Sequence, residues 1–206
     1  MIVAGLTGSI AMGKSTIAKM FAALGFPVFD ADAAVRGFYE SGGAALIAAA
    51  FPASVTNGVV DRATLASRVL VDPSAIMRLE AIVHPEVQVR QIEFLRDARD
   101  GGRQVALLDI PLLFETGAER SVDLAIVVSA SLDNQRLRVL SRAGMSASKF
   151  ELILCRQIPD RDKRKRAHFV IDTNESPAES AEQVAGLVRT IADLTGKSIR
   201  YARNRT

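Results

Sequence analysis

The 206-residue sequence contains one cysteine, no tryptophan and only 5% aromatic residues. The single cysteine, Cys155, excludes an internal disulfide bond. No apolar run is long enough to span a bilayer, and Met1 leads into Ile2 and Val3 without a signal-like stretch, so we expect a cytoplasmic protein with no membrane partner. A composition of 49% hydrophobic and 24% charged residues excludes disorder, collagen and coiled coil, and favours a single globular domain.

Charge is distributed unevenly, although the net charge is only +3. Residues 136–166 carry ten lysines and arginines against three acidic residues, and residues 197–206 add four bases in a tail that we interpret as a solvated end. The remainder of the chain is acidic. A basic segment of this kind predicts an anionic ligand, either nucleic acid or a small polyphosphate. Aromatic residues do not alternate with the basic residues, as stacking on single strands requires, so we expect no nucleic-acid partner.

Near-continuous apolar runs indicate strands of a parallel sheet that is covered on both faces. The runs are residues 2–6, 27–29, 105–108, 124–128 and 169–171. Helical spacing of apolar residues separates them, in residues 14–24, 65–99, 132–142, 146–157 and 177–194. Alternating strands and helices predict a doubly wound α/β fold, with ligands bound at the carboxyl ends of the strands.

The segment from Gly8 to Ser15 fits the phosphate-loop pattern G-x-x-x-x-G-K-[ST]. An apolar strand precedes it and a helix-forming stretch follows, as the pattern requires. Gly13 lets backbone N–H groups close around phosphate oxygens, Lys14 can reach the β- and γ-phosphates, and the Ser15 hydroxyl can ligate Mg²⁺. The motif therefore predicts binding of a nucleoside triphosphate.

Carboxylates follow two of the predicted strands. Asp109 ends the run 105–108, where it could hold Mg²⁺ or its water. Asp30 and Asp32 end the run 27–29, where one could cap the next helix and the other could act as a general base. Period-two spacing places both on one side if the strand continues, and the residues alone leave the assignment open.

The basic segment is predicted to form a helical lid. Arg138 and Arg142 are four residues apart and so share a helical face; the further bases are Arg156, Arg161, Lys163 and Arg164. Arginines on a lid beside a phosphate loop would neutralise the transferred phosphoryl group, and closure would exclude water. His84 precedes Pro85, where we expect a helix to break, and neither His84 nor His168 supports a zinc site.

Taken together, these residues resemble the dephospho-coenzyme A kinase family over nearly the whole chain. The matching elements are Gly5-Leu6-Thr7-Gly8, Asp30-Ala31-Asp32 with Arg36, His84-Pro85, Asp109 to Glu115, Gln135 with Arg138 and Arg142, Arg156-Gln157, and Val170-Ile171-Asp172 near Asn174. The phosphate loop occurs in many families. The Asp-Ala-Asp and Pro-Leu-Leu-Phe-Glu elements, in this order, are much more specific.

The resemblance implies an α/β fold of three layers: a P-loop kinase core with a five-stranded parallel sheet, a helical substrate-binding insertion and a helical lid. The core would comprise about residues 1–36, 100–135 and 167–196, with the insertion at 37–99, the lid at 136–166 and the basic tail at 197–206. The implied reaction transfers the γ-phosphate of ATP to the ribose 3′-hydroxyl of dephospho-coenzyme A, the last step of coenzyme A synthesis. We expect a monomer that uses ATP and Mg²⁺.

The resemblance also assigns roles to residues. Asp32 would be the base, Lys14 would act on the phosphates, and Arg138 with Arg142 would hold the transferring phosphate. Ser15 and Asp109 would bind magnesium. The ATP contacts would be Gly8, Ala11, Met12, Gly13, Lys14, Ser15, Thr16 and Asn174. The acceptor contacts would be Asp32, Arg36, His84, Leu113 and Glu115.

The sequence departs from the family pattern at three places. Ser9 and Ala11 stand where the family usually has glycine, so a positive φ at either position would strain the loop. His168 stands where the family commonly has aspartate. Thr173 separates Asp172 from Asn174, which are commonly adjacent.

Other functions fit the sequence less well. A kinase of another small acceptor, such as a nucleoside monophosphate or shikimate, would share the core and the lid but needs a smaller acceptor region than residues 65–99. A GTPase would need an Asn-Lys-x-Asp element, and a transport ATPase would need Leu-Ser-Gly-Gly; the sequence contains neither.

Overall fold

The computed structural model describes residues 1–69 and 72–196, so the predicted basic tail at 197–206 lies outside the described residues. The described residues form two compact units, one of Met1–Phe29 with the described chain from Ala98 onward and one within Asp30–Asp97. Within the described residues, no helix is long and apolar enough to cross a membrane.

A five-stranded parallel sheet organises the first unit, as predicted. The strands are β1 (Ile2–Thr7), β2 (Val28–Asp30), β5 (Val105–Asp109), β6 (Leu124–Ser129) and β7 (Phe169–Asp172). Their order in the described sheet is β2-β5-β1-β6-β7, with β1 at the centre. Leu6 of β1 is in register with Asp109 of β5 and with Ile126 of β6, so the ends of these strands meet at one edge.

Helices cover the sheet of the first unit. They are α1 (Lys14–Ala23), α6 (Leu132–Leu140), α7 (Ala147–Leu154), α8 (Asp160–Arg166) and α9 (Pro177–Gly196). On one face, Ile17 and Phe21 of α1 and Val184 and Ile191 of α9 are buried against the sheet. On the other face, a second cluster surrounds Leu113. This burial of both faces explains why the strands are continuous apolar runs.

The second unit is largely helical. It contains α2 (Ala31–Glu40), α3 (Gly43–Ala50), α4 (Arg62–Val69), most of α5 (Pro73–Asp100), the short strands β3 (Val55–Thr56) and β4 (Val59–Val60), and a 3-10 helix at Pro52–Ser54. Phe38, Ile47, Phe51 and Leu65 lie in its core. The antiparallel β3–β4 hairpin was not predicted; Asn57, at φ 51, and Gly58, at φ 75, form its turn.

One expectation about local structure was wrong. The helix does not break before Pro85, because α5 continues through it. Proline removes one hydrogen bond, to the Ala81 carbonyl, but Val83 and Val87 pack into the same core on either side and keep the helix continuous. The alternative that had been left open for Asp30 and Asp32 is also decided: strand β2 ends at Asp30, and Asp32 lies in the first turn of α2.

Candidate functional site

The phosphate loop, residues 8–15, connects β1 to α1 and is shaped by two glycines. A Cβ on Gly8 would lie 2.6 Å from the Val128 carbonyl oxygen, so the backbone can follow this path only without a side chain. Gly13 precedes α1 at φ 92, and within the described chain no side chain caps this helix. The N–H groups of the first turn of α1 are therefore open to an anion, as the motif predicted.

Ala11 occupies the left-handed region within this loop, at φ 62, which is the strain that the departure from glycine predicted. Ser9 is not among the described residues with positive φ. The left-handed conformation costs an L-residue about 1–2 kcal/mol. The Ala11 methyl group is buried with Val139 and Phe150 of the predicted lid, and this packing offsets the strain.

Lys14 and Asp109 meet at the carboxyl edge of the sheet. Lys14 Nζ donates a hydrogen bond to Asp109 Oδ1, and both side chains are largely buried. Ser15 is exposed on the first turn of α1. The hydroxyl of Ser15 and the carboxylate of Asp109 are the oxygen donors that Mg²⁺ prefers.

Mg²⁺ bound with a nucleotide takes one or two ligands from the protein and the rest from phosphates and water. Within the described residues, no group of three or more His, Cys, Asp or Glu side chains could hold a metal ion by itself. The donor set of Ser15 and Asp109 fits a metal that arrives with its nucleotide.

Two glutamines hold the peptide groups of Ile10 in the phosphate loop. Gln135 Nε2 donates to the Ile10 carbonyl oxygen at 2.8 Å, and the Ile10 N–H donates to Gln157 Oε1 at 3.1 Å. Gln135 is fully buried. Both glutamines belong to the family resemblance, but no role was predicted for them, because hydrogen bonds across more than 120 positions leave no local pattern. Together they fix the shape of the loop.

A cavity of about 350 Å³ lies beside the phosphate loop. It is lined by Ala11, Gly13, Thr16, Ile17, Arg138, Arg142, Thr173, Glu175, Pro177 and Ser180. The structure thus brings together three predicted ATP contacts and both predicted lid arginines. Arg138 donates to the hydroxyl and the carbonyl of Thr173. Arg142 is exposed, and its backbone N–H donates to the Val139 carbonyl oxygen at 3.1 Å.

Asn174, a predicted ATP contact, does not line this cavity among the described residues. Its Oδ1 accepts from the Ser131 N–H at 2.6 Å and from Asn134 Nδ2 at 3.1 Å. Both partners lie at the start of α6. Asn174 therefore supports the helix that carries Arg138.

His168, which replaces the aspartate common in the family, also has a partner. Its imidazole Nδ1 accepts a hydrogen bond from the Ala125 backbone N–H at 3.0 Å. The backbone N–H of His168 donates to the Ala125 carbonyl oxygen at 2.8 Å. Both bonds link β7 to the neighbouring strand β6. His168 therefore has a structural role at the start of its strand.

Leu113 and Glu115 lie inside the first unit. Leu113 is fully buried in the second core cluster. Glu115 Oε1 accepts from the Ile158 N–H at 2.9 Å and lies 2.8 Å from Nζ of the fully buried Lys163. Their contact with an acceptor stays a prediction, and the contacts present here are internal to the protein.

Helix α8, the last part of the predicted lid, is attached to the sheet. Ser129 Oγ donates to Asp160 Oδ2 at 2.7 Å, Lys163 is buried on Glu115, and the Arg166 guanidinium lies 4.4 Å from the centroid of the Phe114 ring. Lys163 therefore points into the interior of the protein, although the sequence groups it with the bases of the predicted lid.

In the second unit, the two aspartates have different positions. Asp30 is the N-cap of α2 and its Oδ1 accepts from the Ala33 N–H at 2.8 Å. Asp32 is exposed in the first turn. Arg36 Nη2 lies 3.6 Å from Asp30 Oδ2 in an exposed ion pair, and His84 is exposed on α5. Asp32 is thus the aspartate whose carboxylate is not used as a cap.

A central parallel strand, a Gly-Lys-Ser phosphate loop at the start of a helix, and two arginines beside that loop, Arg138 on α6 and Arg142 just after it, define a P-loop kinase. The comparisons with known proteins give the family. The family model for dephospho-CoA kinase matches residues 1–179, and the chain belongs to this family.

Named relatives agree over nearly the full length. The chain is 52% identical over 197 residues to a dephospho-CoA kinase from Brucella melitensis, covering 96% of this chain and 97% of the relative. It is 53% identical over 194 residues to one from Rhodopseudomonas palustris, with coverage of 94% and 98%. The solved structure of dephospho-CoA kinase from Campylobacter jejuni superimposes with a TM-score of 0.68 at 25% identity, covering 93% of this chain and 97% of that one.

Proposed function

We propose that this protein transfers the γ-phosphate of ATP to the ribose 3′-hydroxyl of dephospho-coenzyme A, giving coenzyme A and ADP in the last step of coenzyme A biosynthesis. The observation that carries the proposal is the pairing of Lys14 with Asp109 at an uncapped helix N-terminus, in a chain of this family. A cation, a carboxylate and open N–H groups are the parts that a phosphoryl-transfer site needs.

ATP binds with its phosphates on the loop and its remaining part toward the cavity. Lys14 contacts the β- and γ-phosphates. The residues that shape or line the loop are Gly8, Ala11, Met12, Gly13 and Thr16. Asn174 acts indirectly, because it supports the start of α6, the helix that carries Arg138. Ser15 and Asp109 would hold Mg²⁺, which when bound neutralises charge on the phosphates. Lys14, whose ammonium group is bonded to Asp109 here, would donate to a phosphate oxygen once ATP is bound.

On the acceptor side, the Asp32 carboxylate accepts the proton of the 3′-hydroxyl as that oxygen bonds to the γ-phosphorus and the bond to the β-phosphate oxygen breaks. The family resemblance implies Arg36, His84, Leu113 and Glu115 as acceptor contacts. We retain Arg36 and His84, which are exposed, because Leu113 is fully buried and Glu115 is paired with Lys163. Arg138 and Arg142 stabilise the negative charge on the transferred group. A lid formed by α6 and α7 would exclude water during the transfer.

The test is ADP release from Mg-ATP by the purified protein, with dephospho-coenzyme A, AMP, CMP, shikimate and no acceptor measured side by side. We expect turnover with dephospho-coenzyme A alone, and coenzyme A as the product. Turnover with another acceptor, or none above the no-acceptor background, would contradict the proposal.

The nucleotide half of the proposal has its own test. Replacing Lys14 by alanine should weaken both ATP binding and turnover, because the lysine neutralises phosphate charge in the ground state and in the transition state. A Lys14→Ala protein with unchanged activity would remove Lys14 from the phosphate site.

A further inference from the structure

Thr173 lies directly after β7, at the point where the sequence departs from the family pattern. It is 7% exposed, and its N–H donates to the Ser129 carbonyl oxygen at 2.9 Å, which extends the β6–β7 ladder by one residue. The backbone of Thr173 is therefore held by the sheet itself. Its side chain and its carbonyl group are presented from a rigid position.

The Thr173 hydroxyl joins the phosphate loop to the lid. Thr173 Oγ1 donates to the Met12 carbonyl oxygen at 2.8 Å and accepts from Arg138 Nη1 at 3.0 Å. The Ser129 carbonyl oxygen lies farther from the hydroxyl, at 3.3 Å. Because a hydroxyl has a single proton, we assign its hydrogen bond to the nearer acceptor, the Met12 carbonyl oxygen. This proton direction leaves the oxygen lone pairs facing the arginine.

The Arg138 guanidinium donates two hydrogen bonds to one residue, Thr173. Nη1 donates to the Thr173 hydroxyl, and Nη2 donates to the Thr173 carbonyl oxygen. A two-point contact fixes the guanidinium plane as well as its position. Two of its five N–H groups are used, which leaves three for a ligand.

The side-chain hydrogen-bond partners of Arg138 carry no charge. Thr173 offers a hydroxyl and a carbonyl group, both neutral, and among the described residues no carboxylate forms an ion pair with Arg138. Arg138 and Thr173 line the same cavity as Gly13 and Thr16 of the phosphate loop and α1. A fixed cation with free donors facing this cavity suits the phosphates of a nucleotide.

We propose that Thr173 is a positioning residue that orients Arg138 for ATP by tying its guanidinium to the phosphate loop through Met12. The proposal rests on the proposed function for the identity of the ligand. Because the Arg138 side chain is already held in place before the nucleotide binds, it loses less conformational freedom on binding. The sequence departure at position 173 therefore supplies the hydroxyl that couples the two parts of the ATP site.

The test compares Thr173→Val, which removes the hydroxyl at nearly constant shape, with Thr173→Ser, which keeps it. We expect Thr173→Val to lower kcat/KM for ATP about tenfold, the effect of losing a hydrogen bond to a charged group. Thr173→Ser should stay within about twofold to threefold of the unchanged protein. Equal losses in both variants, or no loss in Thr173→Val, would overturn the proposal.

A double-mutant cycle with Arg138→Ala separates positioning from a general structural effect. In the Arg138→Ala background, Thr173→Val should lower the affinity for a non-hydrolysable ATP analogue less than about twofold, because the residue that it positions is absent. An undiminished effect in that background would overturn the proposal.

The affinity for the analogue requires no acceptor. A protein that does not phosphorylate dephospho-coenzyme A would refute the proposed function and still report on Thr173 through this cycle. Comparison of the melting temperatures of all four proteins shows whether any loss follows from unfolding.

Discussion

Lys163 Nζ lies 2.8 Å from Glu115 Oε1, in an ion pair whose lysine is fully buried. Glu115 belongs to the loop after β5, and Lys163 belongs to α8, so this pair connects the sheet region to the end of the basic segment. The ammonium group makes no well-aligned hydrogen bond among the described residues, and its compensation depends on the carboxylate. A charge buried in this way is costly once its partner is removed.

Glu115→Gln should therefore lower the free energy of unfolding by about 3 kcal/mol, measured by urea denaturation. At temperatures where the variant is folded, its KM for dephospho-coenzyme A should stay within about twofold, because the carboxylate is engaged inside the protein. Glu151→Gln is the matched control: Glu151 pairs with Arg136 on the surface, with both side chains more than half exposed, and should change stability by less than about 1 kcal/mol. A raised KM with unchanged stability in Glu115→Gln would instead make Glu115 an acceptor contact.

The two aspartates at the start of α2 give the second prediction. Asp32→Asn should lower kcat about 100-fold, the lower range for loss of a general base, and leave the affinity for ATP within about twofold. Asp30→Asn is the control, because it makes the same substitution at the neighbouring aspartate. This variant should keep its activity, since asparagine caps a helix about as well as aspartate. Steady-state kinetics and ATP titration of both variants check this. Loss of turnover in Asp30→Asn, with Asp32→Asn active, would reverse the assignment.

The five strands of the sheet and the phosphate loop could be predicted because each is encoded locally. The strand Val105–Asp109 is buried on both faces, and its sequence is therefore a nearly continuous apolar run. The glycines of the phosphate loop follow the fixed spacing of the motif. The β3–β4 hairpin was missed although Asn57-Gly58 is a local turn signal. The path of α5 through Pro85 could not be predicted, because tertiary packing on both sides outweighs the local cost of proline.

The side-chain partners within the site could not be predicted for a different reason. Thr173 and Met12 are 161 positions apart, and Lys163 and Glu115 are 48 apart, so neither pairing leaves a periodic trace. The distribution of charge along the sequence also does not distinguish a buried base from an exposed base in the same basic segment. Lys163 is buried, whereas Arg161 in the same helix is 82% exposed, and only the packing of α8 on the sheet separates them.

Gly8 gives the third prediction. In Gly8→Ala, the new Cβ would lie 2.6 Å from the Val128 carbonyl oxygen, a fixed backbone atom, so the phosphate loop must shift away from β6. We expect the affinity for ATP to fall at least about tenfold, by equilibrium titration, since a displacement of this size misplaces the loop N–H groups. Gly186→Ala in α9 is the control: nothing lies within 4 Å of its Cβ, and it should stabilise the protein by about 0.5–1 kcal/mol without affecting ATP binding. Normal ATP affinity in Gly8→Ala would show that the loop can be moved without cost.

The fourth prediction concerns acid stability and the cap of α4. Asp61 accepts hydrogen bonds from Thr64 Oγ1 at 2.6 Å and from the N–H groups of Thr64 and Ala63. These bonds, that of the Thr64 side chain first, hold the pKa of the Asp61 carboxyl below its ordinary value of 3.8. A carboxyl whose pKa is lower in the folded state stabilises the protein above its unfolded pKa and loses that contribution as the pH falls through the folded pKa.

The free energy of unfolding should accordingly decrease as the pH falls below about 3.8, and part of this decrease should belong to Asp61. Asp61→Asn keeps a capping oxygen but cannot titrate, so its urea midpoint should depend less on pH between about 2 and 5 than that of the unchanged protein. Thr64→Val removes the largest cause of the low pKa while Asp61 stays in place, and it should reduce the same pH dependence. If both variants keep the full acid dependence, the cap does not contribute to it, and the loss of stability in acid arises from carboxylates elsewhere in the chain.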